Sequence, residues 1–115
     1  LGHTEIVKLL LEDPRVDPCA NNNEAIQLAS HNGHIEVVRL LLQDKRVDPS
    51  DNNNLAIRYA SHNGHIEVVE LLLQDPRVDP SARDNFAIQW AILNKHIDVV
   101  NLLLQDPRVS STYRP

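Results

Sequence analysis

DNNNLAIRYASHNGHIEVVELLLQDPRVDP, residues 51 to 80, is the passage that decides how the chain folds, because the rest of the sequence restates it with small edits. Laid on itself, the chain shows an offset of 31 residues: His3, His34, His65 and His96 keep that spacing, and so do Val16, Val47, Val78 and Val109. A fixed period in this size range is the signature of a solenoid, in which each unit buries its apolar faces against the units before and after it. The 115 residues therefore read as about three and a half stacked units in one line, an all-α solenoid of helix-turn-helix units joined by short finger loops.

Each unit predicts two helices. The longer one carries Ile6, Val7, Leu9, Leu10 and Leu11 in the opening half-unit, with Glu5, Lys8 and Glu12 forming one polar stripe. The stripe recurs as Glu36, Arg39 and Gln43, as Glu67, Glu70 and Gln74, and as Asp98, Asn101 and Gln105. A helix this apolar is covered on most sides and meets water along one narrow strip, as stacking requires. Asp-Pro at 13–14, 75–76 and 106–107 stops it, since proline disfavours helix in the residue before it and cannot donate the next backbone bond. Lys45 stands where the second unit lacks that proline.

After the stop comes RVDP, a lone β-branched valine among turn formers, which predicts a short extended finger. Asn23, Asn54 and Asn85 then precede the shorter helix and are expected to cap it, a side-chain oxygen accepting from a first-turn amide. Ala25 and Ala29, repeated as Ala56 and Ala60 and as Ala87 and Ala91, give that helix a small-residue face for close packing. Gly33 and Gly64 supply the left-handed backbone that ends it, whereas the third unit has Lys95 there, with an expected strain of about 1 kcal/mol. Residues 110–115 carry no period and are expected to form a loose or folded-back tail.

Composition narrows the function. Sixteen acidic residues against 11 basic ones give a formal charge of −5, and the basic residues are scattered, so neither nucleic acid nor an anionic membrane surface is the expected partner. No apolar run is long enough for a membrane-spanning helix or a signal-peptide core. The single cysteine, Cys19, has no intrachain disulfide partner, which fits a reducing compartment; an intracellular, cytoplasmic location is the expectation. The sequence opens in mid-unit, since LGHTEIVKLLLEDP matches only the second half of the repeat. It is read as a segment of a longer protein, with a truncated N-terminal face open to self-association through Ile6 and Leu10.

The unit resembles the ankyrin repeat. The residues that carry the likeness are N-G-H-I-E-V-V-x-L-L-L at 32 to 42 and 63 to 73, the divergent N-K-H-I-D-V-V-N-L-L-L at 94 to 104, and G-H-T-E-I-V-K-L-L-L at the start. The likeness covers residues 1–109, divided as a partial repeat 1–16 and repeats 17–47, 48–78 and 79–109. The period of 31 is shorter than the usual ~33, and the T-P-L-H opening of the first helix is replaced by Glu24-Ala25-Ile26-Gln27 and its counterparts. The resemblance implies a non-catalytic module that binds a protein partner with its first helices and fingers, which line a concave face.

On that face, helical spacing predicts an exposed stripe of Glu24, Gln27 and His31, then Leu55, Arg58 and His62, then Phe86, Gln89 and Leu93, growing more apolar along the chain. Leu28, Tyr59 and Trp90 form a neighbouring variable column whose positions read as mainly packed, and Asn22, Asn53, Arg83 and Asp84 form the finger edge. Phe86, Ile92 and Leu93 have a second reading, as residues that cover the end of the stack or meet the tail at Tyr113. The alternative for the whole chain is a structural spacer or adaptor stem, favoured by the near-identity of residues 31–42 and 62–73.

Six histidines invite a zinc reading, but zinc wants four convergent ligands and adjacent units offer one pair each with no cysteine or carboxylate cluster between, so His31, His34, His62 and His65 are expected in structural roles, the turn imidazoles bonding backbone across the reversal. Asp48, Asp51, Asn52 and Asn53 lack the glycine and distal glutamate of a calcium loop. There is no nucleophile-base pair, no phosphate-cradling glycine loop and no H-E-x-x-H, so no catalytic residue, metal or cofactor is expected.

Overall fold

The computed structural model describes residues 2–114, with side chains from Thr4 onward; Leu1 and Pro115, outer bounds of the expected solenoid and tail, lie outside the described residues. Eight helices follow in order among the described residues: α1 Gly2–Glu12, α2 Ala20–His31, α3 Ile35–Gln43, α4 Asp51–His62, α5 Ile66–Leu73, α6 Ala82–Leu93, α7 Ile97–Leu104 and α8 Pro107–Ser110. Two parallel files result. The first helices α2, α4 and α6 stack on one another, the second helices α1, α3, α5 and α7 do the same, and each first helix packs on the second helix that follows it. The outcome is a rod-like body of 46 × 24 × 20 Å, an α-solenoid.

The stack has one continuous core. Val38, Leu41, Val68, Val69, Leu72, Val99 and Leu103 come from the second helices, and Ile26, Ile57 and Ile88 from the first. Ala56, Ala60, Ala87 and Ala91 are fully buried between first helices, as the small-residue face requires, while Ala25 at the open end is exposed. Each large aliphatic side chain so buried stabilises the stack by about 1.5–3 kcal/mol. The polar stripes Glu36-Arg39-Gln43 and Glu67-Glu70-Gln74 face water as the spacing predicts.

The reversal between helices of a unit is closed by His34 N–H to Ala29 O at 2.9 Å and by His65 N–H to Ala60 O at 2.9 Å, with Gly33 at φ 72° and Gly64 at φ 74°. This is the six-to-one bond of a glycine-terminated helix. Glycine is required here for a second reason: a β-carbon on Gly33 would lie 2.6 Å from Nδ1 of His65, and one on Gly64 would lie 2.5 Å from Nδ1 of His96. The imidazoles of His65 and His96 thus lie over the turn of the unit before. His65 Nε2 lies 3.0 Å from His31 O, joined there by the Asn63 amide, also at 3.0 Å. His65 therefore ties its unit to the one before and does not bond across its own reversal, a correction to the expectation. Lys95 keeps the left-handed turn at φ 65°.

The asparagine runs also depart from expectation. Asn21–Asn23, Asn52–Asn54 and Arg83–Asn85 all sit at φ between 55° and 65°, one left-handed turn per unit, closed by the N–H of Asn23, Asn54 and Asn85 to the carbonyl four residues earlier. Their side chains do not cap the helices; α2, α4 and α6 have no side-chain cap bond. Asparagine suits this site because its short polar side chain tolerates the left-handed region better than other chiral residues. The third asparagine instead bridges units: Asn23 Oδ1 accepts from Asp48 N–H at 2.8 Å, and Asn54 Oδ1 accepts from Asp79 N–H at 2.8 Å.

The expected extended finger is a hydrogen-bonded turn. Val47 N–H donates to Asp44 O at 3.1 Å, which buries the valine and points the arginine back along the stack. Arg46 forks onto Asp44 with Nε and Nη2 at 3.0 and 2.8 Å and donates Nη1 to Val16 O of the preceding unit at 3.0 Å. Arg77 and Arg108 repeat the clasp onto Val47 O and Val78 O. The tail folds back: Asp106 caps α8, Thr112 Oγ1 accepts from Asn85 Nδ2 at 2.9 Å, and Tyr113 packs against the core.

Candidate protein-binding face

The left-handed turns place three carbonyls, those of Asn22, Asn53 and Asp84, within reach of the side chain five residues later. Gln27 Nε2 donates to Asn22 O at 2.8 Å, Arg58 Nε donates to Asn53 O at 3.0 Å, and Gln89 Nε2 donates to Asp84 O. Gln27 is accordingly 5 % exposed, not part of an open stripe. Helical spacing misplaced it because the turn before the helix folds its carbonyls back over that position. Asn52 Nδ2 adds a bond to Gln27 Oε1 at 3.2 Å, so α2 and α4 are tied along this edge as well.

Arg58 differs from its glutamine counterparts. Besides Asn53 O it donates Nη2 to Asn52 O at 3.0 Å, and its guanidinium carbon lies 5.0 Å over the Phe86 ring. Phe86 in turn meets Trp90 with ring centroids 5.5 Å apart, and Trp90 meets His62 at 5.1 Å. His31 and Tyr59 form an edge-to-face pair at 4.9 Å in the unit before. Burial first, and then the charge of Arg83, pull the Arg58 guanidinium below its ordinary value without discharging it.

The structure thus brings Arg58, Phe86, Trp90 and His62 into one contiguous cluster spanning α4 and α6. Leu55 and Tyr59 are half-buried beside it, and Leu93 and Gln89 are exposed, as are Asn22, Asn53, Arg83 and Asp84 on the turns. Phe86 stacks under Arg58, whereas Ile92 and Leu93 remain exposed.

Elsewhere the chemistry is structural. The carboxyls of Asp13, Asp44, Asp75 and Asp106 are held below the usual carboxylate range, chiefly by hydrogen bonds from the arginine two residues on. Cys19 Sγ lies 2.8 Å from Asp17 Oδ1, and that bond, then burial, pushes the thiol up, away from a reactive thiolate. Among the described residues no group of three or more His, Cys, Asp or Glu is placed to hold a metal ion, and no helix is long and apolar enough to cross a membrane. A polar groove of about 400 Å³ lies between the start of α6 and the tail. Asn85 Oδ1, buried at its edge, has no partner among the described residues, because Ser110 N–H, the counterpart of the Asp48 and Asp79 donors, is bonded to Asp106 O within α8.

The arginine clasp and the bridging asparagine escaped sequence reading, although the recurrence of D-x-R-V and of the third asparagine at one period was their signal. A family model for ankyrin repeats in three copies matches residues 1–84 and 45–112. No curated protein matches the chain at a significant level.

Proposed function

This chain belongs to the ankyrin repeat family, and from that premise we propose that it is a non-catalytic protein-interaction module whose first-helix face, concave in such stacks, holds a protein partner. The observation that carries this reading is where the units differ. Positions 24, 55 and 86 hold Glu, Leu and Phe, positions 28, 59 and 90 hold Leu, Tyr and Trp, and positions 31, 62 and 93 hold His, His and Leu. The bridging and clasping positions repeat almost without change. Variation therefore gathers on the side that presents Trp90, 37 % exposed, and Leu93, 66 % exposed. These two, with Leu55, Arg58, Tyr59, His62, Phe86 and Gln89, form the contact surface, and Asn22, Asn53, Arg83 and Asp84 form its polar rim.

A tryptophan is among the usual anchors of such a surface, worth roughly tenfold or more in affinity when truncated, and Leu93 extends the apolar area beside it. A partner retained from lysate by the wild-type chain is expected to be lost from a Trp90→Ala, Leu93→Ala double variant that melts normally. Equal retention would remove this face from the interface. The second reading, a spacer within a longer array, draws on the identity of residues 31–42 and 62–73 at every position except Arg39 and Glu70. That identity lies in the turn and second helix, which serve stacking. We further propose that residues 1–109 form one solenoid in an intracellular, cytoplasmic setting, and that α1 self-associates through Ile6 and Leu10, whose exposure contrasts with the burial of Val68 and Leu72 at matching positions.

A further inference from the structure

We propose that Arg58 is a carboxylate receptor: pinned by two turn carbonyls and laid on Phe86, it takes an acidic side chain from a partner segment whose neighbouring aliphatic residue packs on Trp90 and Leu93. The proposal rests on the interaction-module reading and names the partner chemistry that this face selects.

The turn does not need the charge. Gln27 and Gln89 cap the equivalent carbonyls with a neutral amide, so arginine at position 58 adds a cation that the fold can do without. The pinning is specific: the Nε hydrogen and one of the two on Nη2 are spent on Asn53 O and Asn52 O, each at 3.0 Å, and no hydrogen bond from Nη1 to the described residues is present. Carbonyl oxygens use up donors without neutralising the ion. The five ion pairs among the described residues engage Arg15, Arg39, Arg46, Arg77 and Arg108; neither Arg58 nor Arg83 has a carboxylate of the described residues within 4.0 Å. A half-buried, unneutralised guanidinium with its orientation fixed is thus present in a chain that carries more acid than base.

The remaining donors set the ligand. With the Nε edge committed to the turn, the far end offers one N–H of Nη1 beside the second N–H of Nη2, a parallel pair matched to a monoanionic carboxylate, and Arg83 on the neighbouring turn adds longer-range attraction. The opposing charges on this face are Asp84, beside Arg83, and Glu24, one unit away on α2; both are exposed. Beyond the cation, Phe86, Trp90 and Leu93 continue as an apolar strip, so the segment that fits alternates an acidic with an aliphatic side chain.

The test uses the intact chain, a short peptide alternating Glu and Leu, a counterpart with Gln for Glu, and a third with phosphoserine for Glu. Titration calorimetry and the indole and arginine side-chain resonances report binding and its place. Saturable binding of the Glu peptide is expected, weakened by salt and reduced about tenfold or more by the Gln counterpart or by Arg58→Gln. Because glutamine already caps the other two turns, Arg58→Gln is expected to stay folded and to lower the melting temperature by only a few degrees, the share of the Asn52 bond and the Phe86 stacking. The assignment is overturned if the Glu peptide does not bind, if Arg58→Gln binds it as tightly as wild type, or if the phosphoserine peptide alone binds. If Trp90→Ala abolishes binding of both Glu and Gln peptides while Arg58→Gln does not, the carboxylate receptor fails and the interaction face stands. If neither variant affects a peptide that binds, both fail.

Discussion

Gly64→Ala isolates the device that locks one unit onto the next. The glycine sits at φ 74°, and a β-carbon there falls 2.5 Å from Nδ1 of His96 and 2.6 Å from its Cε1. Two costs follow and they are separable. The left-handed backbone costs a chiral residue about 1–2 kcal/mol wherever the ring goes. Displacing a packed imidazole adds a further ~1–3 kcal/mol, the usual range for overpacking. The sum, roughly 2–5 kcal/mol, is a large share of the stability of a domain this size. His96 suits the experiment because no hydrogen bond from its ring to the described residues is present, so His96→Ala removes mainly the clash. Urea unfolding of the wild type, both single variants and the double variant gives a cycle. Gly64→Ala is expected to lose about 1–3 kcal/mol of its effect in the His96→Ala background, leaving only the backbone part. An equal cost in both backgrounds would refute the stacking of the imidazole on the turn.

Two further outcomes follow from the turns. Arg83 adopts the left-handed conformation that asparagine holds in the other units, so Arg83→Asn is expected to stabilise the chain by about 1 kcal/mol, raising the melting temperature by roughly 4 °C in a calorimetric scan. An unchanged or lower melting temperature would mean that the strain is absent. The arginine-bonded carboxyls of Asp44, Asp75 and Asp106 release their protons more readily folded than unfolded, so their contribution is complete above the ordinary carboxylate pKa of about 4. It is lost as pH falls through the lowered folded values. Urea midpoints measured across the acid range should therefore fall with pH, and Asp75→Asn should make that fall shallower; an identical slope would exclude the clasp as its source.

Much of the fold was legible because the period repeats the evidence. One apolar second helix is ambiguous, but four in register, three behind a glycine-histidine pair and the last behind Lys95-His96, leave only a stack, and Gly33 and Gly64 announce their left-handed backbone by residue type. The asparagine runs were misread for a physical reason. Asparagine is favoured both at a helix N-cap and at positive φ, and single-residue preference does not separate the two. The deciding partner of Asn23, the Asp48 amide, lies 25 residues away and exists only once the units stack. The same blind spot hid Gln27, whose hydrogen-bond acceptor is a carbonyl of the left-handed turn. On the binding face, the apolar drift from Glu24 to Phe86 was visible, whereas the pinning of Arg58 was not, since it depends on where that turn directs its carbonyls.

Native-state hydrogen exchange tests most directly whether these units hold together only through their neighbours. Stacking predicts graded protection: amides of α4 and α5, covered on both sides, exchange slowest, protection declines through α6 and α7 on one side and α2 and α3 on the other, and α1 opens first. Uniform protection from α1 to α7 would contradict a linear stack and show that the chain opens as a single body.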